Sequence, residues 1–197
     1  MSPAQAADRA YSTLKQRLLA GLYPMGFRLE AGPIADDIHV SVTPVREALY
    51  RLAGQRLVNA TAGDGFYVPI LSEAAVRDLF DWNAHLSLHV LRGRAKIAAD
   101  TSAATIRCDV AGRAEILFSR ISAAADNVEL ACAIASNNDR LAPFRSVDER
   151  VFEDAAEEMT AMEFASAADI PRLTVLVRAY HRRRKRQAPR YLRELER

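Results

Sequence analysis

Two hydroxyl side chains and an arginine surround a proline in the segment S-V-T-P-V-R-E-A-L, residues 41–49. Pro44 fits the first position of a helix, where its missing N–H costs nothing, and Thr43 is placed to cap that helix. Backbone N–H groups at such a helix start suit a phosphate, Ser41 and Thr43 can hold a phosphate backbone, and Arg46 can reach a phosphate or a guanine edge. The pattern alone equally allows a plain helix cap followed by a solvated arginine.

A helix-turn-helix followed by a hairpin would position these side chains. Apolar spacing and helix-stop residues predict three helices, over residues 5–20, 33–39 and 44–56. Residues 58–68 then predict a two-stranded hairpin around the turn Gly63-Asp64-Gly65. This order is typical of a winged helix-turn-helix, with Gly65 at a wing tip whose backbone can approach the minor groove closely.

From Ser72 onward the strand signals fade, and the spacing of apolar residues predicts helices only. Ser72 is placed to cap the first of them, with Glu73 in its first turn. Later helices are predicted over residues 104–125, 128–136, 147–167, and from 170 into the basic C-terminal segment. The sequence thus predicts a mainly α protein, with a winged helix-turn-helix domain carrying a small β-hairpin wing over 1–71 and an antiparallel all-helical bundle over 72–197.

Composition and motifs narrow the classes of function. The net charge of +2 identifies no partner, and Cys108 and Cys132 form no CxxC pair, so both are expected to be small buried groups in a reducing cytosol. The N-terminus lacks a signal-peptide pattern and no apolar run approaches the roughly 20 residues of a bilayer span, so we expect a cytoplasmic protein without membrane contact. No nucleophile elbow, phosphate-binding glycine loop or Ser-His-Asp spacing occurs, which disfavours an enzyme.

A longer stretch around Pro44 agrees in order and spacing with a known signature. The chain reads V-S-V-T-P-V-R-E-A-L-Y-R-L-A-G-Q-R-L-V over residues 40–58, followed by a glycine-containing wing ending in F-Y-V. This resembles the GntR family of bacterial transcription regulators, whose signature is close to V-S-R-T-P-V-R-E-A-L. The resemblance implies a double-stranded DNA operator as partner, contacted through Arg28, Ser41, Thr43, Arg46 and Gly65. Val42 departs from the family because it replaces an arginine and can at most touch a thymine methyl group.

Pieces of the second half, such as A-E-I-L-F-S-R-I-S-A-A-A-D-N at 114–127, resemble the FCD domain that follows many GntR-type DNA-binding domains. The resemblance implies a homodimer and a small organic acid as effector, often bound through a metal held by one carboxylate and three histidines. The corresponding positions here carry Glu115, Ser119, Glu157 or Glu158, and Tyr180 or His181. Asn83 and Ser87 stand where the family has an arginine and a glutamate. We therefore expect no metal and no cofactor, and the effector pocket stays unknown.

Three further features have a plain interpretation that we favour. His85 and His89 share one helix face and could bind a metal, but ordinary surface or interface histidines are the better interpretation. The acidic residues around Glu157 are expected to form a solvated helix face. The basic run 178–190 is expected to be a solvated end, with added non-specific attraction to phosphate as the alternative.

The sequence therefore predicts a GntR-type transcriptional regulator that reads a near-palindromic operator as a homodimer and responds to a small molecule. Whether it is a repressor or an activator is left open. The alternative is a helical sensor or protein-interaction module whose winged helix no longer binds DNA sequence-specifically, and Val42 is the residue that motivates it.

Overall fold

Ten helices and one two-stranded sheet make up the part of the chain that the structure describes. The computed structural model describes residues 3–61, 63, 65–93, 97 and 109–196. The chain divides into two compact units, Met1–Leu71 and Ser72–Leu195. The predicted fold class, mainly α with a small hairpin after the third helix, is confirmed.

The N-terminal unit contains three helices and a hairpin. Its elements are α1 (Pro3–Leu19), α2 (Ala31–Asp37), α3 (Val42–Gly54), β1 (Asn59–Thr61) and β2 (Gly65–Tyr67). The two strands pair antiparallel with Ala60 opposite Phe66. The turn between α2 and α3 passes through His39, whose φ of 56° lies in the left-handed region. These three helices and the hairpin form the predicted winged helix-turn-helix.

One apolar core holds this unit together. Leucines at helical spacing, such as Leu14 on α1 and Leu49 and Leu52 on α3, are fully buried, and Phe66 brings the hairpin onto the same core. Since α3 uses one face for the core, its opposite face stays exposed. That exposed face carries Arg46, one of the residues from which DNA binding was predicted.

The second unit is a bundle of seven helices in its described part. They are α4 (Glu73–Arg92), α5 (Val110–Ala123), α6 (Val128–Arg145), α7 (Asp148–Val151), α8 (Ala155–Ala168), α9 (Ile170–Arg186) and α10 (Ala188–Leu195). Helix α4 packs against α9, α6, α5 and α10 and so lies at the centre. The predicted cap of α4 is confirmed, because the Ser72 side chain accepts the N–H of Ala75 at 3.2 Å. Within the described ranges, no helix has the length and apolar run that crossing a bilayer requires.

The predicted break over residues 137–143 is wrong, because α6 continues through it to Arg145. Asn, Asp and Pro favour turns locally, but the buried residues of α6 follow helical spacing through the segment. Leu141 and Phe144 bury the same face as Ile134, and this packing outweighs local propensity. Cys132 on this helix is exposed, contrary to expectation, and Cys108 lies outside the described residues.

Two expectations about the C-terminal third are also wrong. Residues 147–167 are not one helix, because the buried Phe152 takes an extended backbone between α7 and α8 and packs against Tyr191. The basic run is not a solvated end, because Tyr180 and Arg184 within it and Tyr191 directly after it are fully buried. The predicted helix over 104–125 is observed as α5, and its residues 104–108 lie outside the described part of the chain.

Candidate functional site

The start of α3 differs from the prediction by two residues. Ser41, not Thr43, occupies the N-cap position, with an extended backbone (φ −75°, ψ 166°) and no capping hydrogen bond from its side chain. Pro44 is the third helical residue, where an N–H would still lack an intrahelical partner, so the proline is tolerated there as well. This helix start leaves both hydroxyl groups available for a phosphate, because Thr43 is exposed and the Ser41 hydroxyl is not used in capping.

Three exposed side chains follow each other at four-residue spacing on α3. Val42, Arg46 and Tyr50 are all exposed, with 44% of Val42 and 65% of Tyr50 accessible to solvent. Residues four apart lie on one helix face, so the three form a stripe pointing away from the core. Arg46 is thus presented to solvent as the sequence predicts.

The wing is shaped by glycines with positive φ. Gly63 has φ 79° and Gly65 has φ 115°, a conformation that side chains with a Cβ rarely adopt. The Arg28 guanidinium lies beside Gly65, since a Cβ added to that glycine would stand 3.7 Å from Arg28 Nε. Arg28 also pairs with Tyr67 in an isolated antiparallel bridge and lies 3.8 Å from Glu30 Oε1 through its Nε. Asp64, between the two glycines, lies outside the described residues.

A groove of about 510 Å³ separates the exposed face of α3 from the wing. Three of the five predicted contact residues, Arg28, Arg46 and Gly65, line it together. Ser41 and Thr43 are not among its lining residues and lie at the helix start. Because the guanidinium groups of Arg28 and Arg46 both line this groove, it is suited to binding an anion.

Among the lining residues that were not predicted as contacts, Tyr50 and Thr61 carry hydroxyl groups. Tyr50 could have been found from its spacing, because it follows Arg46 by four residues and shares its face. Thr61 could not, because its position depends on how the hairpin pairs.

Comparisons with known proteins agree with this geometry. Residues 6–68 match the family described as bacterial regulatory proteins, gntR family. Residues 6–68 form a GntR-family domain.

Curated relatives of the chain are regulators by name. The Nta operon transcriptional regulator of Aminobacter aminovorans is 33% identical over 82 residues, which cover 42% of this chain and 39% of the relative. The HTH-type transcriptional repressor GlaR of Escherichia coli is 31% identical over 98 residues, which cover 47% of this chain and 44% of the relative. The match therefore spans less than half the length of these relatives.

Solved structures extend the likeness in fold to the helical unit. A transcriptional regulator GntR from Rhodococcus sp. RHA1 has a TM-score of 0.73 at 18% identity, covering 92% of this chain and 96% of that one. McbR/YncC of E. coli has a TM-score of 0.71 at 17% identity and full coverage of both chains. The GntR domain and the bundle after it thus share the fold of these proteins along most of the chain.

Outside the GntR domain, the bundle buries a cluster of polar side chains. Asn83 Nδ2 donates to Asn138 Oδ1 at 2.9 Å, and Arg145 Nη2 donates to Asn138 Oδ1 at 3.2 Å and to Asn83 Oδ1 at 3.4 Å. His181 Nε2 lies 2.8 Å from Asn83 Oδ1, and its Nδ1 lies 2.7 Å from the carbonyl oxygen of Val177. The cation that contacts Asn83 in this cluster is Arg145 on α6.

His181 is neutral in this cluster. Burial lowers its pKa to about 3, the nearby guanidinium groups of Arg145 and Arg184 act in the same direction, and the Val177 carbonyl opposes them. A neutral imidazole donates through one nitrogen only. Of the two contacts that His181 makes, with the Val177 carbonyl oxygen and with Asn83 Oδ1, only one is therefore an N–H···O hydrogen bond.

The hydrogen-bonding capacity of the cluster is only partly used. Arg145 is 3% exposed and its guanidinium lies 4.3 Å from the Phe118 ring centre, but no carboxylate of a described residue pairs with it. Four of the buried polar side chains in the bundle keep atoms without a partner among the described residues: Arg145 Nε, the Ser87 and Tyr180 hydroxyls, and the Asn137 amide. A buried cation with neutral partners is the kind of site that an anion would complete.

The positions that correspond to the family's metal ligands do not resemble a metal centre. Glu115 and Ser119 are exposed, whereas His181 is fully buried and bonded to Asn83. Glu158 forms ion pairs with Arg183 and Arg184. His85 is exposed and its Nδ1 lies 2.7 Å from the Asp81 carbonyl oxygen. Among described residues, no three His, Cys, Asp or Glu side chains are grouped as metal ligands would be.

The acidic and basic segments at the C-terminal end pair with each other. Arg184 donates to Asp148 through Nε (2.9 Å) and Nη2 (2.7 Å) and to Glu158 through Nη1 (2.7 Å). The Tyr191 hydroxyl donates to the other oxygen of Asp148. The expected solvated acidic face is therefore wrong for Glu158, which is the partner of the basic run.

Proposed function

We propose that the chain is a DNA-binding transcriptional regulator whose GntR domain binds an operator in the groove between α3 and the wing. The observation that carries the proposal is the convergence of Arg28, Arg46 and Gly65 on that groove. Ser41 and Thr43 would hold phosphates at the helix start, Arg46 would reach a base edge or phosphate, and Gly65 would bring the wing backbone near the minor groove.

A two-fold arrangement follows from how such domains read DNA. One recognition helix covers a half-site, so a homodimer would bind a near-palindromic site with half-sites about one helical turn apart or a multiple of it. The proposal assigns dimerisation to the helical unit and no catalytic step to either unit. The names of the two curated relatives support the role of a transcriptional regulator. The protein would act in the cytoplasm, where the bacterial chromosome lies.

Binding-site selection with the purified full chain tests this proposal. A random duplex library should yield one enriched inverted repeat, and size-exclusion chromatography with light scattering should give the mass of a dimer. Enrichment of no sequence would instead support a helical interaction module that has lost sequence-specific DNA binding, the alternative that Val42 motivates.

We also propose that the helical unit binds a small organic acid at the buried cluster around Arg145. The support is a buried guanidinium whose hydrogen-bond partners are amide oxygens, in a unit that also buries unpaired polar atoms of Ser87, Asn137 and Tyr180. A carboxylate would complete the pairing with Arg145 without a metal. Its binding would shift the balance between conformations of a dimer and thereby the spacing of the two DNA-binding domains.

Thermal unfolding with a panel of carboxylates, including acetate, succinate and benzoate, tests this second proposal. At least one acid should raise Tm of the native chain, in excess EDTA as well as without it, and leave Tm of Arg145→Met unchanged. Arg172→Met is the matched control, because Arg172 is an exposed arginine of the same unit. The proposal fails if no acid raises Tm, or if Arg145→Met responds as the control does.

A further inference from the structure

Tyr50 is an exposed aromatic side chain on the face of α3 that carries Arg46. Its side chain is 65% exposed and it follows Arg46 by one helical turn. A single exposed aromatic residue is ordinary on a protein surface. What distinguishes Tyr50 is that its ring packs against the wing and that it lines one groove together with two cations.

The ring of Tyr50 is fixed by the wing. It meets the Phe66 ring edge-on, with centroids 4.9 Å apart and planes at 79°. Phe66 is buried, pairs with Ala60 across the hairpin, and accepts the N–H of Leu29 at 2.8 Å through its carbonyl oxygen. Because this edge contact restricts the ring, the phenol loses little conformational entropy when it binds a partner.

The surroundings of Tyr50 are suited to a phosphate. The ring lines the same groove as Arg28 and Arg46, and no acidic side chain is among the described residues of that groove. The Tyr50 side chain is exposed, so its hydroxyl can donate a hydrogen bond to a partner from outside the protein. A neutral O–H donor in a groove that also carries two guanidinium groups fits an anionic oxygen.

We infer that Tyr50 is a phosphate-contact residue, whose hydroxyl donates a hydrogen bond to a DNA backbone oxygen where α3 meets the wing. The inference rests on the proposed function of the groove. A phosphate is favoured over a base because Tyr50 lies eight residues, or about 12 Å, beyond Val42 along the helix axis. The first turn of a recognition helix reads base edges, and later parts of the domain lie along the backbone.

Tyr50→Phe tests the inference, because it removes the hydroxyl and keeps the ring contact with Phe66. Affinity should fall about tenfold on the selected operator and by the same factor on an unrelated duplex of equal length. The slope of log affinity against log salt should be unchanged, because no charge is removed. Tyr23→Phe is the matched control and should leave both affinities unaltered, since Tyr23 is outside the groove and its hydroxyl accepts from Arg17.

Two outcomes with Tyr50→Phe would overturn the inference. Unchanged affinity for both duplexes would mean that the hydroxyl contacts no DNA. A loss confined to the operator would mean that it reads a base and not a phosphate. Failure of the native chain to bind any duplex is seen before variants are compared, and it would overturn the proposed function itself.

Discussion

The two units of the chain place arginine in opposite environments. In the GntR domain, Arg28 and Arg46 lie exposed on the walls of an open groove. In the helical unit, Arg145 and Arg184 are buried. An exposed guanidinium keeps its water and can exchange it for a phosphate, whereas a buried one must be compensated by fixed partners.

The buried arginines also differ from each other. Arg184 has two carboxylates, Asp148 and Glu158, and its charge is compensated. Arg145 has two amide oxygens and an aromatic ring. The comparison therefore separates a groove suited to a polyanion, a closed ion-pair network, and a cation that would accept a small anion. Four measurements test this comparison.

The largest expected effect is on the closed network. Asp148→Asn removes the charge that pairs with Arg184 and should lower the free energy of unfolding by about 3–5 kcal/mol, because a buried cation loses its main partner. Asp154→Asn is the control, since Asp154 pairs with Arg183 at the surface and should cost less than about 1 kcal/mol. Urea unfolding measures both, and equal losses would show that the buried pair is no different from the surface pair.

The second effect is a dependence of stability on pH that comes from His181. Its folded-state pKa of about 3 lies below the unfolded value near 6.5, so between those values the unfolded chain binds the additional proton. Stability should therefore fall as pH falls through this window, by about 2 kcal/mol between pH 8 and pH 5. His181→Gln should show a correspondingly shallower decline, and an identical decline in both proteins would rule out His181 as the cause.

The smallest effect concerns the valine that replaces the family's arginine. Val42→Arg adds a cation to the exposed face of α3 and should tighten DNA binding by up to about tenfold, with a salt slope steeper by about 1 if the new group meets a phosphate. Val175→Arg is the control, because Val175 is an exposed valine on α9 of the other unit. An equal gain in DNA affinity from both variants would mean that an added positive charge strengthens binding wherever it lies, and not through a contact at the groove.

The parts of the fold that depend on local signals could be predicted from the sequence. Apolar spacing and the residues around Pro44 and Gly63 placed α1 to α3 and the wing within a few residues of their observed bounds. Ser72 was identified as a cap because the hydrogen bond of a capping serine joins residues that are three apart in the sequence and requires no distant partner. The three residues that line the groove were named as contacts through the resemblance to the GntR family, whose signature lies within one short domain.

What could not be predicted depends on contacts between distant residues. Glu158 and Arg184 are 26 residues apart. The sequence around either residue does not show that the two charges pair in the folded protein. Asn138 favours a turn by its type, yet its burial against Asn83, 55 residues away, is part of what holds α6 helical. The contact between the Tyr50 and Phe66 rings likewise depends on the hairpin packing against α3, although the exposed position of Tyr50 follows from its spacing.

The measurement that most directly tests the proposed DNA interface compares two arginines of the same helix. Arg46 lines the groove, whereas Arg51 stacks on the Tyr11 ring at 3.7 Å and pairs with Asp8. In a titration of the selected operator, Arg46→Ala should weaken binding by about 1–3 kcal/mol and Arg51→Ala by far less, with thermal unfolding confirming that both variants are folded. Unaltered affinity of Arg46→Ala, or equal losses in both variants, would contradict the assignment of DNA binding to this groove.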